Sequence, residues 1–370
     1  AVNCIDGFFL SVDISPHSRW FWVSEIMMSS IIISRRSMAV PPLGDACSTS
    51  SSAPQLRVAH CVAGVVRSFA HPSLLLPRLL KRNVIDAIGG KPTVFLQLKT
   101  FELVRKDALF RFPASASEDV HPAPPGQHAG LAAAIDFLQP QRVELVSTEN
   151  VVLNPHCHYG SGVNRSATQV YSTEAGMRRH VGQMVSSRAC LQMIEQHEAG
   201  AAADAKFDLV VRTRPDVAVL APLPPYCKFG DPAALYVAEA YNQDWLYVSS
   251  RRVANASLMI LRLYEKCHGL LPWNGHYEAA LTYAVRRVGS YFKRLPLALA
   301  LTSEPCRPGR CSMMPGYKGH SAQLGCCAEG LWLQCHYQNK ACDSKLRRER
   351  DVSGRNGSVE LLRAQVPSHG

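Results

Sequence analysis

Phe207-Asp-Leu-Val-Val-Arg-Thr-Arg-Pro-Asp216 decides how this chain is read. Its apolar centre has no polar alternation, the form of a strand buried on both faces. Arg212, Arg214 and Asp216 follow at every second position, so they share one face if the backbone stays extended. Pro215 favours that, because it keeps Arg214 out of the helical region. Two guanidinium groups beside one carboxylate at a strand end suit a diphosphate, with or without a metal held by the carboxylate. An Arg–Asp salt bridge capping the strand is the competing reading, and spacing alone does not separate the two.

Similar strands stand on either side of this one. Arg57–Gly64 is a short apolar run ending in glycine, Thr93–Leu98 and Arg142–Val146 are two more, and Ala234–Ala238 and Trp245–Ser249 follow. Apolar residues at helical spacing mark Pro72–Ile88, Leu131–Leu138, Ala175–Ala199, Ala254–Lys266 and Tyr277–Val288. Gly89-Gly90 stops the first of these helices. Strands alternating with helices predict an α/β fold with a mixed, mainly parallel, Rossmann-type sheet covered on both faces. In such sheets a ligand sits outside the carboxyl ends of the strands. The ends of the first and fourth strands are therefore the places to look.

At the first strand end, Gly64 lets a ligand approach the backbone and Arg67 offers a phosphate contact. A turn glycine with a surface arginine is the competing reading. Asp244, in Asn242-Gln-Asp-Trp245, is a sugar-site carboxylate or a turn residue. Glu278 opens a helix, as a general base for an acceptor hydroxyl or as an acid complementing the helix dipole. His156-Cys157-His158 lacks a second ligand pair at zinc spacing. The pattern is neither GxGxxG nor a P-loop, so dinucleotide and NTP readings gain nothing.

The net charge is +11, from 40 Lys+Arg against 29 Asp+Glu, and it favours anionic partners. Nucleic acid is not expected, because the basic residues are dispersed and no aromatic–basic recognition motif appears. Six of the 13 cysteines lie between Cys306 and Cys342. Adjacent Cys326-Cys327 fits disulfides better than a zinc knuckle, and with Asn-x-Ser triplets at Asn164, Asn255 and Asn356 it points towards a lumenal or extracellular setting. No apolar run reaches the ~20 residues of a membrane span, and no targeting signal is evident. The expected organisation is a poorly ordered segment and linker over 1–55, an α/β domain over 56–305, a Cys-rich appendage over 306–345 and a basic disordered tail over 346–370.

The two strand ends also resemble a family. Arg57–Phe69, with Gly64 then Arg67, and Phe207–Asp216, with Arg-x-Arg-x-Asp, are similar to the hallmarks of an uncharacterised, glycosyltransferase-related group with a GT-A-like fold. Asp244–Arg251 and Glu278 resemble two weaker features of that group. The resemblance covers roughly residues 56–300. It implies transfer of a sugar from a nucleotide-sugar to a glycan, lipid or protein acceptor, in the Golgi or ER lumen. It implies that Gly64 and Arg67 border the nucleotide, that Arg212 and Arg214 counter phosphate charge, and that Asp216 holds Mn²⁺ or Mg²⁺, or else the ribose-phosphate region of the donor. Asp244 or Glu278 would serve as acceptor base. Arg214 stands where many GT-A enzymes carry the first of two carboxylates. That departure opens two alternatives: a metal-free clamp of fixed positive charge, and a relative that binds without turnover.

Overall fold

The computed structural model describes residues 56–99, 127–146, 174–200, 206–238, 244–265, 277–303, 311–314, 323–328, 331–335 and 340–353. The expected N-terminal segment and linker, His156–His158, Asn164 and Asn356 lie outside the described residues.

Seven strands form the main sheet: β1 (Arg57–Val65), β2 (Lys91–Lys99), β3 (Arg142–Val146), β4 (Leu209–Thr213), β6 (Ala234–Ala238), β7 (Leu246–Ser250) and β8 (Tyr291–Leu295). Their order is β3-β2-β1-β4-β7-β6-β8. β3, β2, β1 and β4 run parallel, β7 is antiparallel to both neighbours, and β6 and β8 are parallel. The fold is thus α/β with a mixed, mostly parallel sheet, as the alternating pattern predicts.

The two faces follow from the strand period of two. Val58 and Val62 point into one core, packed by α1 (Leu75–Leu80), α2 (Asp86–Ile88) and α3 (Gln127–Leu138). A π-helical turn, Lys81–Ile85, joins α1 to α2, and Gly89 and Gly90 end the helical stretch at positive φ. Ala59, Cys61 and Ala63 point into the other core, beneath α4 (Glu174–Ala199), α5 (Arg251–Leu258), α6 (Leu261–Glu265) and α7 (Tyr277–Arg287). One helix was expected across Ala254–Lys266; two short ones are present, broken at Met259 and Ile260.

A smaller sheet has the order β10-β11-β12-β9-β5, with β5 (Val217–Val219), β9 (Leu299–Ser303), β10 (Cys311–Met314), β11 (Gln323–Ala328) and β12 (Leu331–Cys335). None of these strands, nor β8, was foreseen, because they are short and lack clear alternation. Cys326, Leu333, Cys335 and Cys342 enter the same core as α1–α3, so the Cys-rich segment shares the packing of the main domain. Residues 346–353, expected in a disordered tail, are helical: α8 runs Lys340–Ser353. Its Leu346 is fully buried and Cys342 is bonded to Cys335, which anchors the helix despite its basic outer face.

A second disulfide, Cys61–Cys190, ties β1 to α4 over a sequence separation of 129 residues. Cys227 and Cys326 are disulfide-bonded as well. These bonds are compatible with the secretory or extracellular setting expected. Among the described residues no helix is long and apolar enough to cross a membrane. Closing a loop that long restricts the unfolded chain, so Cys61→Ala/Cys190→Ala should lower unfolding free energy by about 2–5 kcal/mol. Urea denaturation of the double variant measures this.

Candidate functional site

The carboxyl ends of β1 and β4 meet at one contact. Gly64 has φ +148°, and a Cβ there would stand 2.9 Å from the ring of Pro215. The absent side chain makes room for Pro215, which gives Gly64 a packing role besides any contact with a nucleotide. Gly64→Ala should destabilise the fold by about 1–3 kcal/mol, through backbone strain and overpacking. A thermal melt checks this directly. Arg67 opens a short 3₁₀ turn, Arg67–Ala70; its side chain lies outside the described part.

The chain does not stay extended past β4. Val217 N–H bonds to the Arg214 carbonyl at 3.3 Å, closing a turn through Pro215 and Asp216. This brings Asp216 back onto Arg214 and parts it from Arg212, where alternation would place all three on one face. Thr302 of β9 holds the turn, donating through its backbone N–H and its hydroxyl to the Asp216 carbonyl.

Arg214 sits between two carboxylates. Its Nε and Nη2 donate to the two oxygens of Asp216 at 2.9 and 2.7 Å, and its Nη1 to Asp244 at 2.8 Å. Asp244 arrives because β4 and β7 pair antiparallel, with Arg214 N–H bonded to the Trp245 carbonyl. Both aspartates are buried. Burial by itself would lower the affinity of Arg214 for its proton; the charges of Asp216 and Asp244 outweigh it and raise that affinity.

Glu278 is the second residue of α7 and half-buried. Its carboxyl is pushed up to about 7, by burial first and then by the charge of Asp244, against the opposing effect of Arg214. A carboxyl that titrates near neutrality is suited to exchange a proton with a ligand. The structure therefore brings Arg214, Asp216, Asp244 and Glu278 into one electrostatic group.

Arg212 lies apart from that group. It is buried on the face covered by α4–α7, with its guanidinium carbon 5.9 Å from the Tyr247 ring and 5.6 Å from the Tyr277 ring. Its Nε and Nη1 have no hydrogen-bond partner, and no carboxylate pairs with it among the described residues. Tyr277 in turn shares a hydrogen bond of 3.1 Å with Ser187 of α4.

Sequence reasoning missed Gln97, Lys99, Tyr247, Tyr277 and Thr302. Gln97 and Lys99 carried a signal, since they are polar residues inside a strand otherwise reading as buried. Both are buried, and Lys99 Nζ donates to the Gly182 carbonyl of α4.

The donor set does not fit a divalent cation as the side chains stand. Both oxygens of Asp216 accept from Arg214, and among the described residues no group of three or more His, Cys, Asp or Glu side chains is arranged to hold a metal ion. No protein-family model matches the chain, and no curated protein matches its sequence.

Proposed function

We propose that this chain is a glycosyltransferase of GT-A-like architecture, acting in the secretory pathway on a nucleotide-sugar donor and a glycan, lipid or protein acceptor. One observation carries the reading. A carboxyl pushed up to about 7, Glu278, stands beside the Arg214–Asp216–Asp244 group at the carboxyl end of β4, the end at which sheets of this kind bind their ligands. Glu278 takes the proton of the acceptor hydroxyl. The freed oxygen bonds to the anomeric carbon, the bond from that carbon to the diphosphate breaks, and the diphosphate leaves with the electron pair. Asp244 disfavours the ionised form of Glu278 and so maintains its proton affinity. Arg214 fixes Asp216 and Asp244 in place.

A second reading, a GT-A-like module that binds without turnover, is favoured by the pairing of both Asp216 oxygens with Arg214. Incubation with UDP- and GDP-sugars, with Mn²⁺, Mg²⁺ or EDTA, separates the two. Released nucleotide supports the transferase; saturable nucleotide binding with no release leaves the binding module.

A further inference from the structure

We propose that Asn255 carries an N-linked glycan, attached to its side-chain nitrogen before helix α5 folds. The inference does not depend on the transferase reading. It rests on the Asn255-Ala-Ser257 triplet and on what surrounds it.

The triplet lies wholly within α5 (Arg251–Leu258), and the helix treats its two ends differently. Residues two apart on an α-helix point ~200° apart. Asn255 accordingly faces solvent, while Ser257 is 0% exposed and its hydroxyl donates to the Ala254 carbonyl at 3.2 Å. Asn255 Oδ1 accepts from Arg251 Nη1. Its Nδ2, the atom that a glycan uses, has no partner among the described residues. A sugar on Nδ2 leaves Oδ1 free to keep its bond, so the folded structure accepts the modification without rearrangement.

The disulfides supply the setting. Cys61–Cys190 and Cys335–Cys342 are bonds of an oxidising compartment. In the secretory pathway such triplets meet an oligosaccharide carried on a lipid diphosphate. Nδ2 bonds to the anomeric carbon of the first sugar. The bond from that carbon to the diphosphate breaks, and the diphosphate leaves with the electron pair. Nδ2 gives up one of its two protons to a basic group of the transferring enzyme.

The timing follows from Ser257. The transferring enzyme reads the asparagine and the hydroxyl together, and the folded helix presents them on opposite sides. Attachment must therefore come before α5 forms. The helix has eight residues, too few to be stable alone in water. Its inner side, with Val253, Ala254 and Leu258, packs in one core with Tyr277, Leu281 and Val285 of α7. Those residues are synthesised later, so the triplet stays without its packing partners while the chain grows.

The glycan would not cover the candidate functional site. Arg251 bonds both Asn255 and Glu198, and the Glu198 carboxylate accepts from the Phe207 N–H just before β4. Arg251 N–H also bonds the Asp208 carbonyl. Asn255 is thus tied to the amino end of β4, whereas Arg214 and Asp216 follow its carboxyl end, five residues or roughly 16 Å further on.

The full chain, led into the endoplasmic reticulum of a eukaryotic cell by a signal sequence, is mapped by mass spectrometry with and without peptide N-glycosidase. The peptide holding Asn255 is expected to carry glycan. Asn255→Gln and Ser257→Ala should each remove it there and leave Asn164 and Asn356 as they are in the parent. Ser257→Ala removes only a hydroxyl bonded within its own helix, so its thermal melt should stay close to that of the parent. A bare Asn255 in the secreted, folded protein overturns the inference. Chain folded and oxidised first, then offered to microsomes, should stay bare at Asn255, whereas chain synthesised in their presence should not. Equal modification of the two overturns the order of events. Nucleotide release from UDP- or GDP-sugars should be the same for Asn255→Gln and the parent. Glycan at Asn255 with no turnover in either protein removes the transferase reading and leaves this one; turnover with Asn255 bare does the reverse.

Discussion

Glu278→Gln should lower sugar transfer about 10²–10⁴-fold while the chain stays folded, the loss expected when a general base is removed. Glutamine keeps the shape of the side chain and cannot accept the proton. The parent rate should rise with pH and level off above about 7, because Glu278 must be ionised to act and its carboxyl is pushed up to about 7. The variant's residual rate should lack that limb. A pH–rate profile of both proteins reads this.

Stability moves in the opposite direction. The folded protein binds the Glu278 proton more tightly than the unfolded chain does, since burial and Asp244 raise its pKa from 4.5 to about 7. The stabilisation from this group is complete below the unfolded pKa and is lost as pH rises through about 7. Glu278→Gln should therefore stabilise the protein at pH 8 by on the order of 1–2 kcal/mol, allowing for partial exposure, and much less at pH 4. Urea melts at the two pH values supply the difference. A variant that is inactive yet more stable above neutrality would be hard to explain by a purely structural role.

Arg214→Met should have the largest effect on the fold, a loss of about 3–5 kcal/mol at pH 8. The methionine fills much of the volume but strands Asp216 and Asp244, both nearly inaccessible to water. Two buried carboxylates without a counter-charge must protonate or open the structure. The loss should shrink at low pH, where both aspartates take up protons. Arg214→Met/Asp216→Asn/Asp244→Asn should recover part of it at pH 8, because no charge is left unpaired. Denaturation across pH for the single and triple variants tests the account. An equal loss at every pH would mean that Arg214 contributes through packing and not through charge.

Apolar runs in Arg57–Gly64 and Phe207–Val211, and helical spacing in Ala175–Ala199, are local properties of the chain, so the strands of the main sheet other than β8, and the helices that cover them, could be read without coordinates. Arg142–Val146 and Ala234–Ala238 were legible to the residue. The smaller sheet was not. Its strand β5 has three residues, and what makes that segment a strand is pairing with β9, about 80 residues away. Helix α8 was hidden for a similar reason: its charged surface reads as a solvated tail, and the buried Leu346 and the Cys342 bond that hold it depend on distant partners.

For the site, the sequence by itself determined where polar chemistry is delivered: to the end of a buried strand, at Arg212–Asp216, near a glycine that ends the first strand. Tertiary structure alone decided what each residue does there. A turn at Pro215-Asp216 parts Arg212 from Asp216. The antiparallel return of β7 brings Asp244 onto Arg214, 30 residues away in sequence. The start of α7 brings Glu278 close enough for Asp244 to shift its titration. The reason is electrostatic. Alternation is set by neighbours along the chain, whereas the charge state of a buried group is set by every charge and every loss of water around it, and those come from strands and helices far apart in sequence.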